Sequence, residues 1–391
     1  MVPKGFLFSA VEAAIKKPGR KDLALIYSEH EADMAGVFTS NAVKAAPVRL
    51  AMQRIRAGRG QAVIVNSGNA NACTGRRGLD DAREMTALVA RELRVRPSRV
   101  FVCSTGVIGI PLPMERIRPK IAELIAATGT HSLDDVAAAM MTTDRFPKVV
   151  AKKVTVDGKT GVIAGVCKGA GMICPRLATM LCFLLTDIRV ESETLDACLR
   201  DAVGTSFNRI TVDGDMSTND TVLIMANGLL GNSPLRRTSR AFRAFRETLA
   251  EVSFELSKRI VEDGEGATKL VEIEVKGART EVEAEKAAFS VANSKLVKTA
   301  IYGNDANWGR VMAALGYSGI GLREEKVDIF FGPVPVVRRG VSTDRDEAAT
   351  RALRKNEVKI TIALNMGKAS ARVLTCDLTE EYIRVNAAYR T

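Results

Sequence analysis

The sequence predicts a mixed α/β (α+β) fold. Short apolar runs, typical of strands, alternate with longer segments whose apolar residues recur every three or four positions, as on one face of a helix. Asp157-Gly158 lies between two apolar runs and is typical of a β-hairpin, which argues against a purely parallel sheet. With 391 residues, the chain is long enough for two or three structural units.

The predicted strands are short apolar runs bounded by turn residues. They cover residues 23–27, 36–39, 61–66, 100–104, two strands within 148–163, 222–226, 270–275, 327–331, 358–365 and 371–377. The predicted helices have an apolar face with helical spacing. They cover residues 80–93, 114–127, 195–204, 239–261 and 281–291. The apolar segment after Pro175 fits a strand or a buried helix equally well, because so short a run has no decisive periodicity.

The composition excludes several classes of protein. Hydrophobic residues make up 46% and charged residues 26%, which excludes a disordered, collagen-like or coiled-coil chain. The longest apolar runs, 136–141 and 180–185, are too short to span a bilayer, and Glu12 interrupts the apolar stretch that a secretory signal would need. Seven cysteines without a Cys-x-x-Cys pair predict reduced thiols and a cytoplasmic location, with no membrane contact.

The net charge of +12 includes one arginine-rich stretch, residues 236–246, in which Phe242 and Phe245 are interleaved. Such a stretch can form a nucleic-acid surface or the solvated face of a helix. The second interpretation is favoured because charge runs are usually exposed helix faces. No nucleic-acid partner is therefore expected, although the positive field can attract small anionic substrates.

Histidine chemistry is not expected. The chain has only His30 and His131, and neither lies near another candidate ligand, which argues against a metal site or a histidine triad. The Gly- and Asn-rich loops match neither the P-loop nor the dinucleotide-binding pattern. One remaining base is a free α-amine with a pKa of about 8, which an N-terminal threonine uses to activate its own hydroxyl. The residues alone do not select one threonine.

Four cysteines near the Gly-rich loops are alternative nucleophiles. A cysteine nucleophile needs a neighbouring histidine or another cation, and no histidine is close in sequence. Cysteine is also a common core residue, so a core position is the favoured interpretation. These cysteines are Cys103, Cys167, Cys174 and Cys182.

Resemblance to a known family indicates which threonine is the candidate nucleophile. Residues 168–181 closely resemble the self-cleavage segment of the ornithine acetyltransferase family of arginine biosynthesis, whose members include bifunctional glutamate N-acetyltransferases. Further segments resemble the same family in the same order and extend over essentially the whole chain. They are residues 65–75, 104–109, 141–144, 206–215, 263–269, 304–310 and 382–386.

The resemblance implies that the bond between Ala178 and Thr179 is cut autocatalytically. This cut would give an α chain (1–178) and a β chain (179–391) that begins with the nucleophile Thr179. The hydroxyl of Thr179 would take the acetyl group of N-acetylornithine, and glutamate would accept it, in a ping-pong reaction with an acetyl-enzyme. Acetyl-CoA is a possible second donor; no other cofactor and no metal is expected.

The resemblance also implies the site. Thr105 and Gly106 match the family's oxyanion hole, which needs donors aimed at the developing negative charge. An amino-acid substrate with a cationic tail requires a cation for its carboxylate and a carboxylate for its amine, which Lys168 and Glu265 could supply. The positions that match substrate contacts are Arg145, Lys168, Thr179, Glu265, Asn386 and Thr391.

Two departures from the family pattern bear on substrate and cleavage. Arg145 stands where the family usually has the last threonine of Met-Thr-Thr-Asp-Thr, so a long cation replaces a small hydroxyl. This cation could repel the ornithine tail or point to solvent. Arg176-Leu177 stands where the family usually has Asn-Met before the cleaved bond, which could alter the strain or the rate of cleavage.

The implied fold is a layered αββα arrangement of the self-processing threonine amidohydrolase type, with an additional α/β lobe towards the C-terminus. The α and β chains should stay associated, and the resemblance implies an α2β2 heterotetramer. Two alternatives remain open. One is a self-processing amide hydrolase of the same fold with water as the acceptor, and the other is an uncut basic binding protein that uses residues 236–246 as its surface.

Overall fold

The computed structural model describes residues 1–174 and 180–388, which contain fourteen strands and eleven α-helices. The strands are β1 (Phe6–Val11), β2 (Leu23–Phe38), β3 (Arg59–Asn69), β4 (Val100–Val107), β5 (Lys148–Val156), β6 (Lys159–Lys168), β7 (Leu181–Thr186), β8 (Thr221–Ala226), β9 (Leu270–Ala278), β10 (Asp328–Phe331), β11 (Val334–Arg338), β12 (Val341–Ser342), β13 (Glu357–Ala363) and β14 (Ala369–Cys376). The helices are α1 (Ala46–Arg54), α2 (Gly75–Leu93), α3 (Met114–Ala126), α4 (Leu133–Met140), α5 (Ser192–Thr205), α6 (Arg240–Glu262), α7 (Glu281–Ala292), α8 (Lys295–Tyr302), α9 (Trp308–Gly316), α10 (Asp346–Leu353) and α11 (Glu380–Ala388).

The larger sheet has the strand order β4-β3-β2-β8-β7-β6-β5, with β1 paired to β2. Strand β2 is the member that two halves of this sheet share, because its first part pairs with β3 and its second part with β8. The prediction of two separate strands at 23–27 and 36–39 is therefore wrong. The exposed residues 29–31 lie where the register shifts between Tyr27 and Ala32, and they hide the continuity of the strand.

The two halves of the sheet enclose one central core. Phe183 of β7 and Val65 of β3 belong to this core although they lie in opposite halves. The alternate residues face outwards, so Leu184 packs under α5 and α6 and Ile64 packs under α2 and α3. The layers are thus helices, sheet, sheet and helices, which confirms the predicted αββα arrangement.

The smaller sheet forms the additional C-terminal lobe that was predicted. Its order is β12-β11-β10-β13-β9-β14, and helices α7 to α10 contribute to the same core. Leu270 and Leu374, at the ends of β9 and β14, extend into the core under α6 and join the lobe to the larger layers. Mixed pairing occurs in both sheets, as the hairpin signal predicted.

Most predicted elements are confirmed within a few residues. The Asp157-Gly158 turn joins β5 to β6, and the long helix predicted at 239–261 is α6. The ambiguous segment after Pro175 contains strand β7, whose six residues are all buried, so both of its faces are apolar and show no alternation. The elements that the sequence did not predict are short: β1, β11, β12, α1, α4 and α8 to α11.

The predicted cleavage point divides the chain but not the sheet. Strand β7 pairs with β6, and β8 pairs with β2, so strands from 179–391 lie between strands from 1–178. Each part alone would lose neighbours on both sides of a buried sheet, which supports the prediction that the two parts stay associated.

The arginine-rich stretch is the exposed beginning of α6. Arg243 and Arg246 are exposed, whereas Phe245 is fully buried in the core below the helix. The stretch is therefore amphipathic, as favoured from the sequence. Among the described residues, no helix is both long and apolar enough to cross a bilayer.

We expect Phe245→Ala to lower the free energy of unfolding by about 3–5 kcal/mol, because it removes a buried ring and leaves a cavity. Arg243→Ala, two residues earlier on the exposed face of the same helix, should change it by less than about 0.5 kcal/mol. Chemical denaturation of both variants and the parent measures the difference. Equal effects of the two substitutions would contradict the orientation of α6.

Candidate functional site

The candidate site begins where β3 and β4 end. The two strands are parallel neighbours, so their carboxyl ends meet at one edge of the sheet. Ser104 Oγ donates to Asn66 Oδ1 at 2.6 Å, and Asn66 Nδ2 donates to the carbonyl oxygen of Asn69 at 2.9 Å. These buried hydrogen bonds satisfy polar groups at the strand ends. The Asn-rich loop in the sequence therefore supports the end of β4.

Thr105 and Gly106 lie at this supported edge. Gly106 has φ +135, and a Cβ there would lie 2.3 Å from the carbonyl carbon of Gly68 and 2.5 Å from the nitrogen of Asn69. Only glycine permits this backbone and this close approach of two strands. The sequence prediction placed an oxyanion hole at these residues, and the structure puts them at the wall of a pocket.

The pocket contains about 580 Å³ of empty space, its open mouth included, which is a size suited to a small ligand. Five of the predicted site residues line it: Thr105, Gly106, Lys168, Glu265 and Asn386. They come from β4, β6, the loop after α6 and α11, so the fold brings together residues that are far apart in sequence.

Lys168 ends β6 with its side chain only 3% exposed. Its Nζ donates to Thr142 Oγ1 at 2.8 Å and lies 3.7 Å from Asp144 Oδ2. Burial alone would raise the pKa of Asp144, but the charges of Lys168 and Lys148 outweigh it and hold that pKa well below its ordinary value. Asp144 is therefore ionised at neutral pH and gives Lys168 a fixed counter-charge.

Glu265 and Asn386 form the opposite part of the pocket. Asn386 Nδ2 donates to Glu265 Oε2 at 2.7 Å, and the Glu265 amide donates to the carbonyl oxygen of Ala170 at 2.9 Å. A Cβ at Gly171 would lie 2.3 Å from the Glu265 carboxyl carbon, so a larger residue there would displace the Glu265 carboxylate from this position. The Gly-rich segment after β6 therefore makes room for Glu265.

Helix α11 is fixed against the site, as a chain end with a binding role requires. Thr379 Oγ1 donates to the carbonyl oxygen of Gly266 at 2.8 Å, and the Tyr382 hydroxyl donates to Asp213 Oδ2 at 3.4 Å. Asp213 also accepts the Met172 amide at 2.6 Å, so it links α11 to the segment before the predicted cleavage point. Burial raises the pKa of Asp213 to about 6.

Arg145 does not line the pocket. Its Nε donates to Asp263 Oδ1 at 3.0 Å, and its Nη2 donates to the carbonyl oxygen of Glu262 at 2.7 Å. The guanidinium therefore lies at the C-terminal end of α6, where a cation is favoured by the helix dipole. Among the described residues, the predicted substrate contacts Lys168, Glu265 and Asn386 line the pocket, whereas Arg145 does not.

The predicted nucleophile Thr179, its neighbour Ala178 and the C-terminal Thr391 lie outside the described residues. The same holds for Arg176-Leu177, where the chain departs from the family pattern. The roles predicted for these residues stay predictions.

Two residues that sequence reasoning missed join the site to β7. Asn219 Nδ2 donates to the carbonyl oxygens of Ala70 and Ser104, at 2.7 and 2.8 Å. Asp220 Oδ1 accepts the amide of Met180 at 2.8 Å, and burial raises the pKa of Asp220 well above its ordinary value. The available signal was a run of polar residues directly before the apolar strand β8.

The described residues contain no group of three or more His, Cys, Asp or Glu side chains placed to hold a metal ion. Of the four candidate cysteines, Cys174 is partly exposed. Cys103, Cys167 and Cys182 are buried, and burial raises the pKa of each thiol, which disfavours the nucleophilic thiolate. The pocket instead combines a strand-end glycine and threonine with one cation and one carboxylate.

The sequence matches the ArgJ family over residues 7–391. The chain belongs to the ArgJ family. This confirms the resemblance that the individual segments indicated. The arginine biosynthesis bifunctional protein ArgJ of Geobacter sulfurreducens is 56% identical over 99% of each chain, and that of Symbiobacterium thermophilum is 49% identical over 100% of this chain and 98% of its own.

A solved structure agrees with this membership. The crystal structure of the arginine biosynthesis bifunctional protein ArgJ from Bacillus halodurans is 43% identical, with a TM-score of 0.52. It matches 53% of this chain and 98% of its own length.

We expect Gly106→Ala to abolish most catalysis by this ArgJ-family chain, because the added Cβ cannot fit without separating β3 from β4. Gly109→Ala is the matched control, since Gly109 also has a positive φ (+84) but no heavy atom within 4 Å of its Cβ position. The control should lower the free energy of unfolding by about 1 kcal/mol, because alanine is strained at a positive φ. Initial rates and melting temperatures are measured for both variants. Equal initial rates of Gly106→Ala and Gly109→Ala would contradict a role for Gly106 in catalysis.

We also expect alkylation with iodoacetamide at pH 8 to modify the exposed Cys73 and to spare Cys103, Cys167 and Cys182. The three thiols are buried and hold their protons, so access and reactivity are both low. Peptide mapping by mass spectrometry identifies the labelled sites, with denatured protein as the control. Loss of activity in step with labelling of one of the three would instead favour a cysteine nucleophile.

Proposed function

We propose that this protein is the glutamate N-acetyltransferase (ornithine acetyltransferase) of arginine biosynthesis and moves an acetyl group from N-acetylornithine to glutamate. The observation that carries the proposal is the convergence of Thr105-Gly106, Lys168 and Glu265 on one pocket. Both substrates are α-amino acids that exchange the acetyl group at the α-nitrogen, so one pocket can bind each in turn. Membership in the ArgJ family and the shared name of its relatives support the same activity.

The proposed nucleophile is Thr179, released by autocatalytic hydrolysis of the Ala178–Thr179 bond. That hydrolysis consumes one water and leaves a carboxylate on Ala178 and an amine on Thr179. Leu181 lies opposite Lys168 in the sheet, so the strand that starts two residues after Thr179 runs beside the pocket's cation. A free α-amine with a pKa of about 8 can take the proton of the threonine hydroxyl.

Each half-reaction then has a defined balance. Thr179 Oγ bonds to the acetyl carbon, and donors at Thr105 and Gly106 stabilise the oxyanion. The amide C–N bond breaks, the α-amine of Thr179 returns its proton to the leaving nitrogen, and ornithine departs from the acetyl-enzyme. The neutral α-amine of glutamate attacks the ester carbon, its proton passes through the α-amine of Thr179 to Thr179 Oγ as the ester C–O bond breaks, and N-acetylglutamate forms. The shared covalent intermediate gives ping-pong kinetics.

The charges of the pocket suit these substrates. We assign Lys168 to the α-carboxylate and Glu265 to the terminal ammonium group of ornithine. Glutamate has a carboxylate in place of that ammonium, so this part of the pocket must also offer a donor. The amide of Asn386 donates to Glu265 Oε2 and to the carbonyl oxygen of Tyr382, and it can redirect one of these N–H groups to the carboxylate of glutamate. Thr391 is the remaining proposed substrate contact.

The assembly and the second donor are also part of the proposal. The α chain (1–178) and the β chain (179–391) stay associated through the shared sheet, and two such pairs form an α2β2 heterotetramer in the cytoplasm. Acetyl-CoA can serve as an additional acetyl donor for glutamate. The scheme uses no metal or organic cofactor and involves no nucleic acid or membrane.

The first test is the intact mass of the purified protein under denaturing conditions, followed by acetyl transfer from N-acetylornithine to glutamate. We expect two species, one beginning at Thr179, and formation of N-acetylglutamate. Thr179→Ala should stay a single chain without activity, because neither the hydroxyl nor the new amine exists. Thr205→Ala, on the exposed end of α5, is the control and should behave as the parent.

Different products separate the alternatives. Acetate release that does not require glutamate would point to the amide hydrolase. A single uncut chain that retains nucleic acid in a salt-sensitive way would point to the basic binding protein. N-acetylglutamate formed from acetyl-CoA and glutamate distinguishes a bifunctional enzyme from a monofunctional one.

A further inference from the structure

Five charged side chains of alternating sign form a chain that ends in the pocket. Arg145 Nε lies 3.0 Å from Asp263 Oδ1, and Asp263 Oδ2 lies 2.5 Å from Lys148 Nζ. Lys148 Nζ lies 2.8 Å from Asp144 Oδ1, and Asp144 Oδ2 lies 3.7 Å from Lys168 Nζ. The charge chain Arg145–Asp263–Lys148–Asp144–Lys168 thus connects the protein surface with the candidate site.

The middle of the charge chain is fully desolvated. The side chains of Asp144, Lys148 and Asp263 are 0% exposed, whereas Arg145 is 54% exposed. A buried charge without a partner is costly, so each of the three buried ions depends on both of its neighbours. The three cations outnumber the two carboxylates by one. Because Lys168 stands at the pocket, the excess positive charge is available to a substrate carboxylate.

Arg145 completes the partners of Asp263. Its backbone amide donates to Asp263 Oδ2 at 3.0 Å and its Nε donates to Oδ1 at 3.0 Å, while Lys148 takes the remaining approach to Oδ2. Without the guanidinium, the ammonium of Lys148 would be the one full positive charge that the described residues place in contact with Asp263. Lys148 Nζ already lies 2.5 Å from Asp263 Oδ2, so the stronger attraction would act by weakening its 2.8 Å contact with Asp144.

The position of Lys168 depends on this balance. Asp144 Oδ1 is occupied by Lys148 Nζ and by the amide of Gly169, at 2.8 and 2.7 Å. This leaves Lys168 Nζ at 3.7 Å from Asp144 and hydrogen-bonded to Thr142 Oγ1 at the pocket wall. An Asp144 that has lost Lys148 would pull the ammonium of Lys168 inward, away from a ligand.

We propose that Arg145 is a positioning residue that acts through the charge chain to hold the ammonium of Lys168 in the pocket. The proposal rests on the proposed function, in which Lys168 binds the α-carboxylate of both substrates. Arg145 itself touches no substrate, because its guanidinium is engaged by Asp263 and by the Glu262 carbonyl. The cation that replaces the family's threonine therefore supports substrate binding without entering the site.

The kinetic test compares Arg145→Thr, which restores the usual family residue, with Arg145→Lys, which keeps a cation. We expect Arg145→Thr to raise the KM of N-acetylornithine and of glutamate about tenfold, with kcat within about twofold, since binding is weakened and the reacting groups are untouched. Arg145→Lys should recover most of the KM change. Arg118→Thr, which breaks an exposed ion pair with Glu84 elsewhere on the surface, is the matched control and should leave both constants unchanged.

A second measurement needs no substrate. Trace acetylation with limiting acetic anhydride, read by mass spectrometry, reports how accessible Lys168 Nζ is, with exposed lysines as internal references. We expect at least threefold less labelling of Lys168 in Arg145→Thr than in the parent or in Arg118→Thr. A far-ultraviolet spectrum and a melting curve check that each variant is folded. If Arg145→Thr is not folded, the same comparison is made with Arg145→Gln, which removes the charge but keeps most of the side chain, and its Lys168 labelling should fall in the same direction.

The outcomes separate this inference from the proposed function. Unchanged KM values and unchanged Lys168 labelling would overturn the positioning role, even if the melting temperature falls. A fall in kcat with constant KM would do the same. Absence of acetyl transfer in the parent protein would instead overturn the proposed function, while the labelling of Lys168 would still decide the action of Arg145.

Discussion

The pairing of β7 with β6 and β8 is the constraint on which the rest of the site depends. In this register Lys168 lies opposite Leu181, and Leu181 lies opposite Thr221. Both faces of the strand are buried between the layers of the αββα fold, so a slip by one residue would turn every apolar side chain of β7 to the wrong core. The register therefore fixes the start of β7 relative to the pocket's cation, and with it the point where the predicted cleavage segment joins the sheet.

Two consecutive residues, Asn219 and Asp220, connect the end of β4 with the start of β7. Asn219 donates to the carbonyl oxygen of Ser104, directly before Thr105 and Gly106 in β4, while Asp220 accepts the amide of Met180. The distance between Thr105-Gly106 and the start of β7 is thus set by one dipeptide directly before β8.

Local sequence patterns correctly predicted elements that carry turn residues or a long apolar period. They failed where contacts between distant residues determine the secondary structure. The β5–β6 hairpin and helix α6 carry turn residues or a long apolar period, and both are confirmed. Strand β2 was divided because its exposed polar residues 29–31 interrupt the apolar pattern. Helix α4 was missed although Ser132 and Asp135 form a capping box. The site residues were found by resemblance to a family, because physical reasoning on the sequence alone could not select one threonine.

The contacts around Asp263 show what no local pattern could reveal. Its partners Arg145 and Lys148 are more than a hundred positions away and lie on the other side of the predicted cleavage point. Buried ion pairs add little net stability, because desolvation offsets their attraction, yet removing one partner is costly. The charge chain is therefore better understood as a positional device than as a source of stability. If Lys168 moves out of the pocket, its buried neighbours Asp144 and Lys148 must shift as well. Through this coupling the half-exposed Arg145 can influence a site that it does not touch.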